Sequence, residues 1–125
     1  MKLLVRDDSR RKEEFHAAFD LAWDSCVIAC CRGNYGRNNW HIHHAKSGGG
    51  QILVCVAGRG YYQEEGNEAI EMKPGDCINI PTGVKHWHGA APDEWFSHLA
   101  IEVPSENGSN EWLEPVSDEE YGKLQ

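Results

Sequence analysis

The sequence predicts an all-β domain, an antiparallel sandwich or small barrel, with a short helix near its N-terminus. Three observations carry this. From residue 26 onward, short apolar or alternating runs are cut by Gly- and Pro-containing turns about every ten residues. Histidines recur two residues apart, which is the period of a strand and not of a helix. The chain has 125 residues, enough for one domain with a real core and too few for two ordinary ones.

The elements follow in order. Residues 7–14 are a mixed charge run and read as solvated. Phe15, Phe19 and Ala22 then form a helical stripe, with Ser9 as N-cap, and predict a helix near 10–23. Cys26–Cys31 is an apolar run ended by a Gly-Asn-Tyr-Gly turn. Asn39–His43 is a short extended segment, and Ala45–Gly50 reads as a flexible loop. Gln51–Ala57 is a buried strand, followed by a hairpin of Tyr61–Glu64 with Ala69–Met72. Tyr61, Tyr62, Glu64 and Glu65 read as its exposed surface. Cys77–Ile80, Lys85–Gly89 and Trp95–Val103 are further strands, separated by Pro81-Thr82-Gly83 and by the turn at 90–94. This organisation gives an N-terminal extension (1–25), a barrel (26–103) and a polar tail (104–125). In the tail, Trp112, Leu113 and Val116 are expected to dock on the barrel or on a partner chain. Ser117 to Glu120 carries a capping-box pattern for a short helix.

Composition excludes several classes. Twelve basic against twenty acidic residues leave a net charge of −8, which would repel nucleic acid and anionic membranes. No apolar run approaches the ~20 residues of a membrane span. Met1 to Arg6 is too short an apolar stretch for a secretory signal, so a cytoplasmic location is expected. The five cysteines (Cys26, Cys30, Cys31, Cys55 and Cys77) form no CxxC pair; four sit inside apolar strand-like runs, and they read as reduced, buried thiols.

The histidines carry the chemistry. Six of the seven lie between positions 41 and 98. His41 and His43 share one face of a strand, and His86 and His88 repeat the arrangement on another. Alternation along 95–103 puts Phe96, His98 and Ala100 on one side. If these faces meet, several imidazoles converge, a donor set suited to Zn, Fe, Mn, Ni or Cu. His44 falls on the opposite face and reads as a non-ligand. Trp40, Trp87, Trp95 and Phe96 are candidates for apolar pocket walls, or equally for core.

Here the residues reach a resemblance. His41-Ile-His43, then Gln51, then Gly58 after six residues resembles the first signature of the cupin family. Gly75, Pro81, Gly83 and His86 match every fixed position of the second, G-x5-P-x-G-x2-H. The resemblance implies a double-stranded β-helix (jelly-roll) barrel. It also implies a divalent metal, manganese first, on His41, His43, Gln51 and His86. A closer set includes Asn39-Trp40-His41, Gly58 to Gln63, Lys85 to Pro92 and Ser97 to Ile101. It is similar to small bacterial cupins associated with carboxymuconolactone decarboxylases and to manganese-dependent cupin hydroxynitrile lyases. That similarity implies His98 as a base, with His88 and Lys85 near the pocket or its rim. It also implies a homodimer acting on a small-molecule substrate.

There are departures from the pattern. Gln51 stands where many cupins have glutamate, so a bound divalent ion keeps its full charge; its Lewis acidity rises and its binding weakens. The 44–50 loop is longer than in the similar proteins. Ala90 replaces an asparagine. The reading is a metal-dependent lyase, decarboxylase or isomerase in which His98, with His88 second, moves protons. The alternatives are a metal-dependent dioxygenase and a non-catalytic small-molecule or metal-binding cupin.

Overall fold

The computed structural model describes residues 36–124 together with the strands Lys2–Asp7 and Ser25–Arg32. The helix expected near 10–23 lies outside the described residues. Among them, the elements run β1 (Lys2–Asp7), β2 (Ser25–Arg32), β3 (His41–His44), β4 (Ser47–Gly48), β5 (Gln51–Gly58), β6 (Gly60–Glu64), β7 (Ile70–Met72), β8 (Cys77–Ile80), β9 (His86–Ala90), β10 (Trp95–Glu102), β11 (Ser105–Glu106), β12 (Ser109–Trp112) and α1 (Asp118–Gly122). No helix among these residues is long and apolar enough to cross a membrane.

Two five-stranded sheets form the body, in the orders β1-β2-β10-β5-β8 and β12-β3-β9-β6-β7. Their facing sides share one apolar cluster: Leu53, Cys55, Tyr62, Met72, Ile80, Ala90, Phe96 and Ala100. Period-2 alternation delivers these residues. Along β10, Phe96, His98 and Ala100 are buried while the residues between them are partly exposed. All pairings in the body are antiparallel except the edge, where β1 lies parallel to β2.

Gly58 sits at the bend between β5 and β6 with φ 74°, and a Cβ there would collide with the carbonyl oxygen of Trp95. Gly50, at φ 91°, enters β5 against the carbonyl oxygen of Ile80 in the same way.

Three expectations are corrected. The 45–50 segment is not a flexible loop. Ser47–Gly48 pairs with Ser105–Glu106, Gly49 N–H donates to Pro104 O at 3.0 Å, and Thr82 Oγ1 donates to Gly48 O at 2.7 Å. Tyr61 and Tyr62 are buried rather than exposed, because β6 is covered on both sides. Cys77 is exposed, unlike Cys55.

The covering element is the C-terminal segment. Trp40, Tyr61, Trp87, Ala91, Val116 and Tyr121 form a second buried cluster on the outer side of the β9 sheet. Ser117 caps α1 through a complete capping box with Glu120. Tyr121 Oη donates to Ala90 O at 2.7 Å, and the Arg37 guanidinium lies 4.1 Å over the Tyr121 ring.

Candidate metal centre

Register brings the histidines together. β3 is joined to β9 with His41 opposite His86, and β12 is joined to β3 with Asn110 opposite His43. Inward alternation then sends His41, His43, His86 and His88 into the space between the sheets. Gln51 and His98 enter from the facing sheet, and all six are buried. The His41–His86, His41–His43 and His43–His86 ring centroids are 4.2, 5.1 and 5.3 Å apart. His41, His43 and His86 each offer one ligand atom, and these atoms lie within 4.8 Å of one another, so the three can hold a metal ion.

The surroundings fix which nitrogen each ring offers. His41 Nδ1 lies 2.9 Å from Asn39 O, and His86 Nδ1 lies 2.9 Å from Val84 O. A carbonyl oxygen only accepts, so both Nδ1 atoms carry the proton and both Nε2 atoms present a lone pair. His43 Nδ1 donates to Asn110 Oδ1 at 2.7 Å, with the same consequence. Gln51 is oriented in the same manner. Its Nε2 donates to Glu102 Oε1 at 2.6 Å, which turns Oε1 the other way.

That leaves His43 Nε2, His86 Nε2 and Gln51 Oε1 buried with no hydrogen-bond partner among the described residues. Each such group costs about 1–3 kcal/mol in a folded protein. Three lone-pair donors, each aimed by a partner on its other side, are the arrangement a cation satisfies and a water-free core does not explain. The donors present therefore fit a borderline divalent metal.

Burial favours the neutral form of three of these imidazoles, His86, His88 and His98. Burial lowers the His86 pKa to about 4 against the pull of Val84 O, with nearby His43 lowering it further. Burial also lowers His88 well below its ordinary value, and lowers His98 to about 4. Burial raises the Glu102 carboxyl, against the opposing pulls of His43 and the Gln51 amide.

His88 and His98 form a second pair beside the triad. Their centroids are 4.9 Å apart, and His98 stacks on Phe96 at 4.6 Å. The His41–His88 distance is 5.9 Å, so both pairs share one interior. Neither ring nitrogen of His98 has a hydrogen-bond partner among the described residues.

Several expected positions differ. Trp40 and Trp87 are not walls of this interior; they lie in the outer cluster, because Trp87 is one residue out of phase with His86 and His88. Trp95 is 42% exposed. Only Phe96 of the four aromatics borders the histidines. Lys85 bonds Glu65 at 2.8 Å and Glu114 at 2.5 Å and lies 5.4 Å over Trp40, on the outer side. His44, by contrast, lies as expected on the opposite face, exposed and bonded to Glu111 at 2.6 Å.

Sequence reasoning placed Trp112 on the barrel or a partner chain but not beside His41, on which it stacks at 4.6 Å, and it did not single out Asn38, Asn110 or Glu102. Glu102 was accessible to it: the alternation that places His98 and Ala100 inward continues to residue 102.

Comparison with known proteins agrees with this architecture. A family model described as "Cupin domain" matches residues 34–102. The chain is 42% identical over 85 residues to an (R)-mandelonitrile lyase of Granulicella tundricola, covering 68% of this chain and 62% of that protein. It is 45% identical to a cupin-like protein of Thermotoga maritima, with a TM-score of 0.61, covering 71% of this chain and 64% of the other. Thus the chain spans under two-thirds of the length of each of these relatives. A cupin protein from Bacteroides fragilis shares the fold at 24% identity and a TM-score of 0.54, covering 82% of this chain and 79% of that one. The double-stranded β-helix, the two signature segments and the inward histidines lead to one conclusion: the chain belongs to the cupin family.

Proposed function

We propose that this cupin is a metal-dependent lyase, holding a divalent ion on His41, His43, His86 and Gln51 and cleaving a small oxygenated substrate of the cyanohydrin type. The observation that carries this reading is the set of buried lone pairs on His43, His86 and Gln51, each aimed by a partner behind it. The lyase name of the Granulicella relative supports the reaction class. Manganese is the ion favoured by the resemblance, and iron, zinc, nickel and copper suit the same donors. A bound ion supplies Lewis acidity toward a hydroxyl or carbonyl oxygen.

The chain's own residues do the rest. His98, buried and neutral, accepts the substrate hydroxyl proton. The bond between the carbinol carbon and the nitrile carbon then breaks, and its electron pair leaves with cyanide. The hydroxyl carbon becomes an aldehyde, and His98 returns the proton to cyanide. Phe96 excludes water behind the His98 ring.

His98→Ala is expected to lower turnover of an aromatic cyanohydrin by about 10²–10⁴-fold with metal content unchanged. Aldehyde release followed by absorbance, with elemental analysis of the same sample, checks this. Full activity in the variant would contradict the role. Wild-type protein that binds metal but cleaves no cyanohydrin would leave a binding module.

Glu102 acts on the site through Gln51. Glu102→Ala frees the amide to rotate, and is expected to weaken metal affinity about 10–100-fold. Glu102→Gln, whose amide oxygen can still accept from Gln51 Nε2, should recover most of it. Chelator competition measures both, and equal affinities for wild type and Glu102→Ala would remove Glu102 from the account.

A further inference from the structure

Asn38 is 4% exposed and meets His88 three times. Its backbone N–H donates to His88 O at 3.1 Å. Its Oδ1 accepts from the backbone N–H of His88 at 2.9 Å. Its Nδ2 lies 3.0 Å from His88 Nε2. The second contact decides the third. With Oδ1 engaged by a backbone donor, the group facing the ring is the NH₂, which can only donate. A ring nitrogen facing a donor must present its lone pair, so a neutral imidazole there carries its proton on Nδ1.

We propose that Asn38 is a positioning residue that locks His88 as its Nδ1–H tautomer, making His88 a hydrogen-bond donor and leaving the base role to His98. The inference rests on the lyase reading for its functional meaning, but its chemistry stands on the three contacts alone. A base takes a proton at a lone pair, and the lone pair of His88 is held by Asn38. His98 has no such restraint, since neither of its ring nitrogens is hydrogen-bonded among the described residues. Two buried imidazoles 4.9 Å apart are thereby made unequal by one amide. During cleavage, His98 takes the hydroxyl proton while His88 Nδ1–H can donate a hydrogen bond to the departing anion. The proton returns from His98, so His88 never changes its charge. The arrangement favours substrates whose leaving group is a small anion that accepts a hydrogen bond.

Long-range ¹⁵N–¹H correlation spectra of uniformly ¹⁵N-labelled protein, metal-free and zinc-loaded, read the tautomer directly. His88 is assigned by the signals missing in His88→Gln. In wild type, His88 should show a protonated Nδ1 and a bare Nε2 in both forms. In Asn38→Asp, the carboxylate accepts from the same backbone N–H and from the ring, so the proton should appear on Nε2. Zinc content should be equal in wild type and Asn38→Asp, and kcat should fall more than KM changes. A wild-type spectrum with the proton on Nε2, or an Asn38→Asp spectrum identical to wild type, would overturn the proposal. The wild-type spectrum decides even if the variant does not fold. Failure of the lyase reading shows separately, as absent zinc or absent turnover in wild type with the His88 tautomer intact.

Discussion

His86→Ala is expected to abolish stable metal binding, and His41→Ala to do the same. Each removes one of three ring nitrogens that lie within 4.8 Å of one another, and among the described residues no spare imidazole stands in the same position. His88 lies 6.4 Å away in ring centroid from His86, with its Nε2 facing Asn38. The effect should extend to stability, because metal bound to the native state adds to folding free energy. At free metal about 1,000-fold above Kd the gain is about 4 kcal/mol. For a domain of this size that corresponds to a rise in Tm of about 15 °C. Wild type should show this rise on metal addition and lose it with a chelator, whereas His86→Ala should show none. His44→Ala is the control: His44 is exposed and paired with Glu111, and its loss should leave metal content unchanged.

The second large effect concerns acid. Burial holds the His98 pKa at about 4, below the unfolded value of about 6.5. Between these two values the unfolded chain binds a proton that the native chain refuses. Stability therefore rises with pH through this window and falls as pH drops from about 6.5 to about 4. At 1.36 kcal/mol per unit, His98 alone accounts for a loss on the order of 3 kcal/mol. Urea unfolding of the metal-free protein at several pH values measures it. The isosteric His98→Gln variant has no proton to gain there, so its stability relative to wild type should improve as pH falls. A difference between the two proteins that does not change with pH would contradict the assignment.

What the sequence makes legible is set by the period of a strand. His41 with His43, His86 with His88, and Phe96 with His98 and Ala100 share inward faces because side chains two apart point the same way. The turn glycines are equally readable, and Gly58 has the positive φ that such a bend needs. Pairing across long separations is not readable in this way. Ser109–Trp112 looks like polar tail, yet it pairs with β3 and delivers Asn110 to His43, 67 residues away in sequence. The aromatic residues show the same limit from the other side. Trp40 and Trp87 are apolar enough for a pocket wall, and only the position of Val116 and Tyr121 reveals that the outer face of the sheet is covered too. Asn38 carries no periodic signal at all. Its role arises from a backbone approach to β9, in which Arg37 bridges to Gly89 and Asn38 N–H bonds His88 O.

The most direct measurement is a crystal structure of freshly purified, unchelated protein with anomalous diffraction collected at the manganese, iron, nickel, copper and zinc edges. One anomalous peak is expected between the sheets, ligated by Nε2 of His41, His43 and His86 and by Oε1 of Gln51, with the Gln51 amide nitrogen still on Glu102. Rings rotated so that Nε2 bonds protein groups, with no metal scatterer among them, would contradict it.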